Sequence, residues 1–181
     1  MQKTILSLTL AGLLCVCACS TTKENAMMKP LEVVPLVNIA KYMGTWYEIA
    51  RYPNKFQEGC VATQVEYSLR PDGKVKVLNM CHEETVDGKE KSIEGKAWSV
   101  DKQTNAKLKV QFFWPFRGDY WIIQLDKDYK YAVVGHPKRT YLWILSRTPA
   151  LDEATYSAIV QKLIEQGYDP AKMIITPQKK G

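Results

Sequence analysis

Gly44-Thr45-Trp46-Tyr47-Glu48-Ile49-Ala50-Arg51-Tyr52-Pro53 is the stretch on which the reading of this chain turns. Its first residue has no side chain and its third has the bulkiest one available. A glycine permits close backbone approach, and a strand led by tryptophan calls for a dry site for the indole. Far downstream stands a second dense block, Leu142-Trp143-Ile144-Leu145-Ser146-Arg147-Thr148-Pro149, whose strand ends in arginine. A guanidinium laid over an indole face gains about 0.5–2 kcal/mol, more where water is excluded.

Between the two blocks the period is two. Val61, Thr63, Val65, Tyr67 and Leu69 alternate with Ala62, Gln64, Glu66 and Ser68, the pattern of a half-buried strand. Arg70-Pro71-Asp72-Gly73 supplies turn chemistry, and Val75 to Cys81 returns. A polar loop from His82 to Lys91 leads to a strand at Ile93–Trp98. Further strands are predicted at Lys107–Phe112, Tyr120–Leu125 and Tyr131–Gly135 before the Trp143 block. Eight consecutive strands on short turns predict an all-β fold, an antiparallel up-and-down barrel wide enough for one small ligand. After it the period changes: Tyr156, Ile159, Val160, Leu163 and Ile164 form one helical stripe, with Asp152 as N-cap and Gly167 as the stop. This predicts one C-terminal α-helix packed outside the barrel. Met173–Thr176 reads as a short ninth strand.

Gly44-x-Trp46 early and the strand-terminal Arg147 late, in these contexts, resemble the lipocalin signature, and specifically that of its bacterial outer-membrane branch. The resemblance covers roughly residues 40 to 177. It implies that first and last strands meet and that Arg147 lies across Trp46 to close the barrel floor. It further implies a lipophilic ligand, a fatty acid or lysophospholipid, held for envelope maintenance, and the homodimers found in the family. Leu125-Asp126-Lys127-Asp128-Tyr129 has leucine where animal members carry threonine, which places the chain nearer the bacterial and plant branch.

At the N-terminus, Met1-Gln2-Lys3 precedes an apolar run from Ile5 to Ala18 that suits a signal-peptide core and is short for a bilayer span. Val16-Cys17-Ala18 before Cys19 resembles a lipobox, and Ser20 follows rather than aspartate. The expectation is acylation at Cys19 and anchorage in the outer membrane of a Gram-negative cell; an ordinary cleaved secretory signal is the alternative. Residues 1–18 then form the signal peptide, 19–38 a lipidated tether and 39–181 the folded domain. Cleavage and lipidation leave Cys60 and Cys81, which in an oxidising compartment predict a disulfide. Such a bridge, closing a loop of this size, is worth about 3 kcal/mol.

Side chains two apart share a face, so an inward Trp46 and Arg147 carry Trp143 inward as well. The same alternation places Val65, Tyr67, Val75, Val77, Ala97, Val110, Phe112, Tyr120, Ile122 and Val134 along the interior, as ligand contacts or as plain core. Small residues at Gly95, Ala97 and Ala132 favour a hollow over a plug, although small barrels can be filled solid. Phe56, Trp114 and Phe116 fall on loops at the open end and are candidates for membrane contact, or for a lid packed on itself.

No catalytic residue, metal site or cofactor is expected: both histidines, His82 and His136, lie in loops, and no zinc spacing or phosphate loop occurs. Glu48 and an inward Cys81 keep an enzymatic alternative open, and a structural lipoprotein with a filled barrel is a third. The net charge of +6 is spread along the chain without a basic stripe, which argues against nucleic acid and for a mild attraction to anionic surfaces.

Overall fold

The computed structural model of the protein describes residues 29–179, so the expected signal segment and Cys19 lie outside the described residues. Eight strands follow one another around a ring: β1 (Gly44–Arg51), β2 (Cys60–Leu69), β3 (Val75–Glu83), β4 (Glu90–Ser99), β5 (Lys107–Gln111), β6 (Gly118–Leu125), β7 (Tyr131–Gly135) and β8 (Leu142–Ser146). Every neighbouring pair is antiparallel, and β1 pairs with both β2 and β8, which closes the barrel. A one-turn helix, α1 (Ile39–Tyr42), precedes β1 at the closed end. The helix α2 (Glu153–Glu165) follows β8, and β9 (Ile174–Ile175) pairs with the far end of β1.

Asp152 starts α2 by accepting from the Thr155 amide at 2.9 Å, and Gly167 ends it at φ +81°. Its stripe buries Ile159 and Leu163 against Ile49, Ala50, Ile123, Val133, Leu142 and Ile144, a second core outside the ring. Strands beneath the helix are therefore apolar on both faces. In β7, Ala132, Val133 and Val134 are all fully buried, two facing in and one facing the helix layer.

β3 and β4 are longer than alternation shows, running to Glu83 and from Glu90, and the polar loop shrinks to residues 84–89. Residues 90–94 are exposed on both faces, so backbone pairing and the cross-strand ion pairs Lys76–Glu94 and Lys91–Glu83 define them and no hydrophobic period marks them. Cys60 and Cys81 form a disulfide with Cα atoms 5.5 Å apart, beside a bulge in β2 between Val61 and Gln64.

The expectation of a tether extending to Asn38 is corrected by packing. Leu31 is buried in the outer core and Val37 in the inner one. The Val34 amide donates to Ile122 O and the Val37 amide to Thr104 O, so residues 31–37 are part of the packed domain. Pro30 precedes this segment and Pro35 lies within it, and neither prevents it from docking.

A further departure concerns the seam. β1 pairs with β2 only from Gly44 to Tyr47, then turns to β8 alone. The C-terminal segment enters the gap: β9 pairs with Ala50 and Arg51, Thr176 N donates to Ile49 O, and Ala62 N donates to Pro177 O. Gln178 spans the same gap, donating to Glu48 O and Thr63 O at 2.7 and 3.0 Å.

Candidate ligand site in the barrel

The floor is built around Trp46, which is fully buried and donates from Nε1 to Tyr42 O at 2.8 Å. The Arg147 guanidinium lies 3.8 Å from the centre of the Trp46 ring. Its nitrogens donate to Thr45 O (2.8 Å), Lys41 O (2.9 Å), Met43 O (2.8 Å) and Tyr129 O (3.4 Å). One cation thus satisfies the carbonyls left free where α1 ends and β1 begins. Gly44 sits between, at φ +91°, and a Cβ there would lie 3.4 Å from Arg147 Nη1. Both the backbone angle and the approach of the guanidinium favour glycine.

Above the floor, Val65, Tyr67, Val75, Val77, Ala97, Ile122 and Val134 belong to one inner cluster with Trp46. Val110, Phe112, Tyr120 and Trp143 pack against it, partly buried. Three phenols meet inside: Tyr120 Oη lies 2.8 Å from both Tyr42 Oη and Tyr67 Oη. Burial pushes all three well above the ordinary tyrosine value. Tyr42 was not among the residues that alternation placed inside, because it lies on α1 and not on a strand.

These phenols bind their protons more tightly folded than unfolded. Their stabilisation is therefore whole below the ordinary tyrosine value of about 10 and is lost as pH rises through their elevated values. Alkaline titration followed by tyrosinate absorbance and near-UV circular dichroism checks this: Tyr42, Tyr67 and Tyr120 are expected to ionise only together with loss of the near-UV signal. Ionisation of every tyrosine near pH 10 with the signal intact would contradict the burial described.

A small space remains among these side chains. An apolar cavity of about 20 Å³ lies between Tyr42, Tyr67, Ala97, Tyr120 and their neighbours. That is room for a single water, against the roughly 300 Å³ at the lower end of ligand pockets. Beside Gly95 the space left by the missing side chain is taken. A Cβ on Gly95 would meet Phe112 Cδ1 and Cε1 at 2.7 and 2.9 Å. The Phe112 ring occupies the notch that the missing side chain leaves.

Towards the open end the interior becomes polar. Glu48 Oε1 accepts from Arg51 Nη1 (2.8 Å) and Thr176 Oγ1 (2.6 Å), and Glu48 Oε2 accepts from Gln57 Nε2 (2.6 Å). Gln57 Oε1 in turn accepts from Trp143 Nε1 at 2.8 Å. Arg51 also reaches Gln57 O and Cys60 O at 3.1 and 3.2 Å. A register shift between Glu48 and Ala50 allows Glu48 and Arg51 to share the inner face, which strict alternation forbids. Both oxygens of Glu48 are occupied by donors, and Cys81 is held in the disulfide, so the two groups that kept an enzymatic alternative open are each engaged.

At the mouth, loops β1–β2 and β5–β6 carry Phe56, Phe113, Trp114 and Phe116 with exposures of 80%, 67%, 83% and 76%. Side chains packed on one another as a lid would be less exposed than these. Phe113 completes the group and was missed because its position reads as the end of a strand. His136 lies 3.8 Å from Asp119, and burial holds its imidazole below the ordinary value.

A closed eight-stranded barrel with an arginine-sealed tryptophan floor and a single external helix is the lipocalin architecture. Residues 37–178 match the lipocalin-like domain family, and the chain belongs to it. It is 46% identical over 159 residues to Temperature-induced lipocalin-1 of Arabidopsis thaliana, covering 83% of this chain and 84% of that one. To Outer membrane lipoprotein Blc of Escherichia coli K12 it is 39% identical over 163 residues, 90% of each chain. Among solved structures, insecticyanin from the tobacco hornworm superposes with a TM-score of 0.65 at 21% identity, over 82% of this chain and 86% of that one. Lobster apocrustacyanin A1 gives 0.63 at 19% identity, over 79% and 81%. The two structural likenesses are of fold alone.

Proposed function

We propose that this protein binds a single-chain lipid, a fatty acid or lysophospholipid, in its barrel while held by an acylated Cys19 in the outer membrane of a Gram-negative cell, in support of envelope maintenance. The observation that carries the reading is an apolar inner wall, closed beneath by Trp46 and Arg147, that leads up to a mouth ringed by exposed aromatic side chains. Likeness to a protein named an outer membrane lipoprotein and to plant lipocalins supports it. The acyl chain needs more room than the cavity offers, and Phe112 is the side chain whose displacement from Gly95 supplies it. Phe56, Trp114 and Phe116 contact the membrane and pass lipid to the barrel.

Native mass spectrometry of protein purified without added lipid, followed by titration with a fluorescent fatty acid, tests the reading. One acyl chain per barrel is expected, with Phe112→Ala binding it faster than the wild type because no ring must move. Absence of bound lipid together with absence of saturable uptake in both proteins would remove the reading and leave a filled, structural barrel.

A further inference from the structure

A second concavity, of about 380 Å³, opens to solvent at the closed end of the barrel. Lys41 of α1, Arg147, and Lys127, Asp128, Tyr129 and Lys130 of the β6–β7 turn line it. Hydrogen bonds tie these walls to one another. Asn38 N, at the start of α1, donates to Tyr129 Oη at 2.8 Å. The Arg147 amide donates to Lys130 O at 2.9 Å, and Arg147 Nε reaches Tyr129 O at 3.4 Å. Asp126 holds the turn itself, its Oδ2 accepting from the amides of Asp128 and Lys130 at 2.9 and 3.1 Å. The shape of the cleft is therefore set by backbone and by Arg147, not by its long lysine side chains.

Four cations and one carboxylate face this space. Asp128 lies 4.0 Å from Lys127 with both side chains well exposed, a contact that neutralises little. Lys41, Lys130 and Arg147 have no carboxylate partner among the described residues. Lys76, Lys91 and Lys109, in contrast, each pair with a carboxylate on the adjacent strand. A guanidinium offers five N–H donors. Those of Arg147 make four bonds to carbonyls, which leaves one Nη1 N–H without an acceptor among the described residues. Gly44 brings no side chain over it, where a Cβ would stand 3.4 Å from Nη1.

Uncompensated like charges gathered in a concavity raise the local concentration of anions. Lysine ammoniums serve phosphate oxygens as point charges, and an arginine N–H adds a directed bond. We propose that the closed end is a binding site for a phosphomonoester or pyrophosphate group, held by Lys41, Lys127 and Lys130 with Arg147 Nη1 beneath it. A phospholipid headgroup and a soluble phosphorylated compound present the same chemistry to this cleft. The site is separate from the barrel interior and does not depend on what the barrel holds.

The test uses the full chain in dodecyl maltoside micelles and reads the backbone amide shifts of Asp128 and Lys130. Sodium pyrophosphate is titrated in one arm. In the others the micelles are doped with dioleoyl phosphatidic acid or, as the zwitterionic control, dioleoyl phosphatidylcholine. Saturable shifts are expected with pyrophosphate or with phosphatidic acid, and the arm that gives them names the source. The Lys41→Gln, Lys127→Gln, Lys130→Gln triple variant is expected to weaken binding about tenfold or more. Lys55→Gln, Lys89→Gln, Lys138→Gln removes the same charge from loops at the mouth and is expected to change it by less than about threefold. All six lysines are exposed, so neither variant disturbs the core. Equal weakening by the two triple variants would show attraction to net charge with no site. Shifts absent from both phosphate arms, or matched by phosphatidylcholine, would equally overturn the proposal.

Discussion

Replacing Arg51 with alanine is expected to lower the unfolding free energy by about 3–5 kcal/mol, read as a shift of the urea midpoint with the slope unchanged. Glu48 and Arg51 are 2% and 6% exposed, so the carboxylate left behind would be buried without its cation. Thr176 and Gln57 would still donate to it, but two neutral donors do not replace a guanidinium. Removing both charges is a different experiment. A Glu48→Gln, Arg51→Met double variant is expected to recover most of the loss, because a desolvated ion pair returns little net stability over neutral groups of like size. A single-variant loss below about 1 kcal/mol would mean that the pair is wet and behaves as a surface bridge.

Trp46→Ala is the second large effect, at about 3–5 kcal/mol for deleting a buried aromatic side chain. The indole is fully buried, stands 4.9 Å from the Tyr42 ring, and forms the platform on which Arg147 rests. Its loss also strands Tyr42 O, which accepts from Nε1. Trp46→Phe keeps a ring beneath the guanidinium and is expected to fall between wild type and alanine in the same urea titration. Equal losses for the two variants would show that the Nε1 hydrogen bond, rather than the platform, carries the energy.

The barrel was legible because each strand facing water on one side writes its burial into alternate residues, and short turns then fix the neighbours. Val65 and Tyr67, or Val75 and Val77, announce the inner wall directly. The helix announced itself by its change of period. What escaped has equally physical causes. Leu31 and Val37 each lie one or two residues after a proline in a stretch without periodicity, and docking against the barrel needs no repeat. Residues 90–94 pair through backbone and exposed ion pairs, without a buried face. Gly95 and Ala97 show that space is left, but not that a ring from the next strand fills it. The Glu48 cluster draws on residues up to 128 positions apart and on a register shift that reverses the facing of Arg51, neither of which a local pattern records.

The seam at β1 bears on how the chain is made. The partner of the Ala62 amide is Pro177 O, and Thr176 and Gln178 bind Glu48 and its neighbour strand. A chain synthesised from its N-terminus lacks these fasteners until residues 174–178 have been made. Until then the ring has an open side along the upper half of β1, and the polar pair that closes it has no shelter. Completion of the barrel is thereby deferred until residues 174–178 are in place, well after the segment that carries Cys60 and Cys81 has been made.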